Sequence, residues 1–119
     1  MTRNNADFHG SVDSLKSPEK FTNKDVEFTF TPAHVAGEMR HKLSAWKGND
    51  YLGYITWHKT SGVVTHIQTQ PKFRRQGVAT MLWKTAKTLP DKYPGTTTPK
   101  HDYSDQTPEG AAWAKKVGD

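Results

Sequence analysis

Arg74-Arg-Gln-Gly-Val-Ala-Thr80 sets two guanidinium groups, a glycine, a small side chain and a hydroxyl within one short stretch. Guanidinium forks bind phosphate oxygens. Gly77 lets a ligand approach the backbone without a Cβ in the way, and Ala79 is small for the same reason. Immediately after the glycine, Val78, Met81, Leu82, Ala86 and Leu89 recur with a helical period. A helix therefore opens at this loop, with unpaired N–H groups and the positive end of its dipole. A strand feeding into such an end leaves a pocket for phosphate. An ordinary basic turn could contain the same residue types, so the weight rests on their order.

The elements that must position this loop are read from alternation. Val26, Phe28 and Phe30 alternate with polar residues as a half-buried strand, ended by Pro32. Met39, His41, Leu43 and Ala45 mark a second strand by the same alternation, Tyr51 to His58, rich in β-formers, reads as a third, and Val63 to Thr69, closed by Pro71, as a fourth. The short turns between them predict an antiparallel meander. Pro90 and Pro94 are expected to stop the helix, a weak strand is expected over 96–100, and Thr107-Pro-Glu109 has the grammar of a last helix start. Residues 1–23 are polar and aperiodic and are read as a flexible tail. Residues 24–119 are read as one compact α/β (α+β) domain, with a mostly antiparallel sheet and the order β-β-β-β-α-β-α.

Composition narrows the chemistry. The chain has no cysteine, which excludes disulfides and a thiol nucleophile. Residues 51–90 carry six cations and no carboxylate, which points to an anionic partner, either a phosphate-bearing cofactor or nucleic acid. No apolar run is long enough to span a membrane and no signal segment is visible, so the expectation is a cytoplasmic protein with no membrane partner. His9, His34, His41 and His101 show no ligand spacing, and no metal site is expected. Trp46, Trp57, Trp83 and Trp113 read as packing rather than base-stacking groups.

Arg74-x-x-Gly77-x-Ala79, behind Pro71-Lys-Phe73 and ahead of an amphipathic helix, resembles motif A of the GNAT N-acetyltransferases. The likeness covers roughly residues 26–118. It implies that backbone amides near Gln76, Gly77, Val78, Ala79 and Thr80, with Arg74 and Arg75, hold the pyrophosphate of acetyl-CoA. It implies that Ile67, Gln68 and Thr69 pair with the pantetheine arm, at the splay between the fourth and fifth strands. The chain departs from the family plan in several places. Only Ala33 to Ala36 stand where the family inserts helices, the final strands are missing, and Ala114 fills the slot of the usual tyrosine acid. Val63 and Thr65 occupy the positions of the usual base, and neither can serve. His66 and His58 are the remaining catalytic candidates, although alternation turns His66 away from Thr65 unless a bulge intervenes. The leading expectation is an acetyl-CoA-dependent N-acetyltransferase acting on an amine of unknown identity. The alternatives are an inactive GNAT-fold binding or structural protein, such as a phage accessory protein, and a basic nucleic-acid binder. The oligomeric state is left open, a homodimer included.

Overall fold

The computed structural model describes residues 11–74, 76–101 and 108–118. Five strands run in chain order: β1 Glu19–Asn23, β2 Val26–Thr31, β3 Arg40–Lys47, β4 Asp50–His58 and β5 Val64–Thr69. They form a single sheet in the order β1-β2-β3-β4-β5, each antiparallel to its neighbour. A one-turn helix, α1 (Ala33–Ala36), joins β2 to β3; the long helix α2 (Val78–Lys92) follows β5, and α3 (Pro108–Val117) comes last. Single 3-10 turns lie at Val12–Ser14 and Pro71–Phe73. The α/β class and the antiparallel meander stand as the sequence predicted.

The core forms where the period-2 and period-3.6 stripes meet. Phe28, Phe30, Leu43, Ala45, Ile55 and Trp57 are buried on one face of the sheet, against Leu82, Trp83, Ala86 and Leu89 of α2. His41 joins this face rather than the solvent. Its Nδ1 accepts the Ala33 N–H at 3.1 Å, and its ring lies against Phe30 and Trp57. Burial, followed by the nearby His34 and Lys59, pushes its pKa down to about 4. On the opposite face, cross-strand partners line up Lys20, Thr29, Ser44, Tyr54 and Gln68 in one row.

Three expectations are corrected. The sheet begins at Glu19, inside the segment read as a tail, and Val12 and Leu15 are buried in the core; residues 1–10 lie outside the described residues. Val12 N–H donates to the Pro94 carbonyl at 2.6 Å, so this segment is tied to the end of α2. Pro90 does not stop α2, which runs on to Lys92. A proline in the last turn forfeits its own N–H, while Tyr93 N–H still reaches the Leu89 carbonyl at 2.7 Å. The strand expected over 96–100 reduces to one parallel bridge, Val63 to Lys100. Pro99 has no N–H for a ladder. The segment is held instead by the bridge and by the Trp57 indole N–H, which donates to the Thr97 carbonyl at 2.8 Å.

Candidate functional site

Between β5 and α2 the chain makes one 3-10 turn and then Gly77, which is left-handed at φ +79° and occupies the N-cap of α2. Having no side chain, Gly77 cannot cap the first-turn N–H groups, which stay available to a ligand. A Cβ built on Gly77 would meet nothing within 4 Å, so its backbone sign, not crowding, is what demands glycine here.

A cavity of about 240 Å³ opens at this junction, lined by Thr69, Arg74, Gly77, Val78, Ala79 and Thr80 together with Trp113 and Lys116. Six of the expected residues therefore converge on one concavity. Trp113 and Lys116 come from α3 and were not anticipated. The Trp113 indole N–H donates to Thr80 Oγ1 at 3.0 Å, leaving the Thr80 hydroxyl proton free to point elsewhere. Lys116 adds an exposed ammonium to the same wall. The remaining expected residues stand apart. Gln76 lines a separate cavity with Lys47, Asp50 and Phe73, and its amide donates to the Lys72 carbonyl at 3.3 Å. Ile67 packs toward the core, Gln68 is exposed opposite Tyr54, and Arg75 lies outside the described residues.

β5 sits tightly on β4 at the site end. Gly53 pairs with Thr69, and a Cβ there would overlap the Gln68 carbonyl oxygen. The other edge of β5 is bridged at its start, where Val64 N–H donates to Lys100 O at 2.9 Å. Among the described residues, nothing pairs with that edge along Ile67–Thr69. This edge leads toward the cavity, because Thr69 belongs to both.

The two histidine candidates differ. His58 Nδ1 accepts the N–H groups of Thr60 at 3.1 Å and Ser61 at 3.3 Å, so it caps the β4–β5 turn. His66 lies in a bulge. The register passes from Thr56–His66 to Trp57–Val64, leaving Thr65 as the extra residue. Thr65 Oγ1 is 2.7 Å from Thr56 Oγ1, so Thr65 and His66 both lie on the side of Thr56, away from α2. Strict alternation fails here, and His66 is exposed beside Thr65 rather than across the sheet from it.

Among the described residues, no cluster of His, Cys, Asp or Glu could hold a metal ion, and no helix is long and apolar enough to cross a membrane. No curated protein and no solved structure matches the chain. A family model does: that of the acetyltransferase (GNAT) domain, over residues 13–105. The match takes in β1 to β5, α2 and the loop with Arg74 and Gly77. With the antiparallel sheet and the strand–loop–helix junction in place, the chain belongs to the GNAT acetyltransferase superfamily.

Proposed function

We propose that this chain is an acetyl-CoA-dependent N-acetyltransferase whose pyrophosphate site is the cavity at the α2 N-terminus. The observation that carries this reading is the meeting of Thr69, Arg74, Gly77, Ala79 and Thr80 in one concavity of a GNAT-family chain. First-turn amides, the Arg74 guanidinium and the Lys116 ammonium suit a diphosphate. The pantetheine arm pairs along the Ile67–Thr69 edge of β5. The acceptor nitrogen attacks the thioester carbonyl directly, forming the C–N bond and an oxyanion, and the C–S bond breaks as that oxyanion collapses. A β5 amide near Thr69 stabilises the oxyanion, and the thiolate takes up a proton as it leaves. The ammonium proton passes to His66 or to water. His58 is not favoured, because the turn already uses its Nδ1.

Calorimetric titration of acetyl-CoA into the wild-type protein and into Gly77→Glu tests the reading. Wild type is expected to bind, and the variant, which places a carboxylate at the mouth of the anion site, is expected to lose binding. Undiminished affinity in a folded Gly77→Glu protein would move the phosphate site elsewhere. An inactive protein that still binds CoA would support the second reading, a GNAT-fold binding protein.

A further inference from the structure

The edge strand β1 and the outer flank of α2 enclose a groove that the acetyltransferase reading does not use. It has a volume of about 350 Å³ and is lined by Phe21, Thr22 and Asn23 of β1 and by Lys84, Thr85, Thr88 and Lys92 of α2. Both charged side chains in that lining are cations, and no carboxylate contributes to it. Glu19 stands at the far end of the strand and is not part of the groove. Lys92 Nζ lies 4.6 Å from the centroid of the Phe21 ring, which roofs the groove with positive charge over an aromatic floor.

Among the described residues, β1 is the terminal strand of the sheet, and β2 is the strand paired with it. Asn23 pairs with Val26 across the two-residue turn Lys24–Asp25, which phases the ladder. Asn23, Phe21 and Glu19 exchange hydrogen bonds with β2, and the backbone groups of Lys20 and Thr22 point to the open edge. A strand added there would send alternate side chains into the groove, against Lys84 and Lys92, and the rest toward Lys20 on the other face. Lysines on an edge strand repel indiscriminate pairing. Lys84 and Lys92 of α2, beside that edge, select a partner that brings carboxylates at alternate positions.

We propose that β1 and α2 form a docking edge for an extended acidic peptide segment of a partner protein, which adds as a sixth strand with its carboxylates on Lys84 and Lys92. The probe is a fluorophore-labelled peptide of alternating Glu and Thr, read by anisotropy at low salt. A Lys/Thr peptide and a Glu/Thr peptide with a central proline serve as controls. Saturable binding of the Glu/Thr peptide alone is expected. Combined Lys84→Glu and Lys92→Glu changes should weaken it at least about tenfold while leaving the protein folded and its acetyl-CoA affinity intact. Hydrogen exchange should slow at the Lys20 and Thr22 amides when the peptide binds. Absence of binding, equal binding of either control, or indifference to charge reversal would overturn the proposal. So would a concentration-dependent dimer that protects those amides without peptide, since the edge would then belong to a second copy.

Discussion

Single residues carry two kinds of constraint in this molecule, one electrostatic and one conformational. His41 is buried neutral, with its pKa held down to about 4. The unfolded chain binds a proton there below its ordinary value near 6.5, and the folded chain does not until the pH falls to about 4. The His41 contribution is therefore complete above about 6.5 and is lost as the pH falls toward 4, by up to roughly 3 kcal/mol. Denaturant melts across this window should show that slope, and His41→Gln should flatten it. Gly77 carries the conformational constraint. Its φ of +79° predicts that Gly77→Ala lowers apo stability by about 1 kcal/mol, although the added Cβ meets no neighbour. A gain in melting temperature would mean that the turn has another shape. That Arg74, Gly77, Val78, Ala79 and Thr80 meet at the start of a helix was legible, because they lie within seven positions and each type has a local physical reason. Trp113 and Lys116 were not legible: the Trp113–Thr80 hydrogen bond spans 33 positions, and no local pattern encodes it.

The elements show where pattern reading works and where it stops. β2 and β3 announced themselves because one face of each is buried, which forces apolar residues to alternate, and β4 because it is rich in β-branched and aromatic residues. β1 did not, because Phe21 is its one large apolar residue and the strand is held by pairing with β2. The bulge at Thr65 was likewise invisible to alternation, since an extra residue shifts the phase only when the partner strand is known. The close fit of β5 on β4 leads to a test at this scale. Gly53→Ala drives a methyl into the Gln68 carbonyl and should cost about 1–3 kcal/mol in stability, as overpacking does. It should also displace Thr69, the residue shared by the strand pair and the cavity, and so weaken acetyl-CoA binding. A stable variant with wild-type affinity would separate the strand pair from the site.

For the whole molecule, charge and cofactor make opposite demands that salt can separate. The chain carries a net charge of +5, which attracts any polyanion. A ligand that binds only the folded state raises stability by about 2.7 kcal/mol at a hundred-fold excess over Kd. The melting temperature should therefore climb with acetyl-CoA, and in the proposed site, where backbone amides hold the diphosphate, the climb should persist at moderate salt. Any DNA held on the basic surface would be bound by counterion release and lost steeply over the same range, without competing with acetyl-CoA. DNA binding that excluded acetyl-CoA and showed that steep slope would revive the nucleic-acid reading. The broad class was legible at this scale, because the switch from period 2 to period 3.6 falls at one junction. The tail boundary was not, because Val12 and Leu15 are isolated apolar residues in a polar segment.

Trp113 also gives the molecule an optical reporter. Trp57 and Trp83 are sealed in the core, and Trp46 lies 4.8 Å from Tyr51 at the β3–β4 hairpin. Trp113 alone among the four lines the cavity, while its ring meets Trp83 edge-on at 5.8 Å. An anion entering beside the Thr80 hydroxyl changes the field at that indole and the geometry of the coupled pair. Unlabelled CoA should thus shift the emission maximum and the near-ultraviolet circular dichroism together, with one shared titration midpoint. Trp113→Phe should silence both signals, and emission that still responded in that variant would place the ligand next to a different indole.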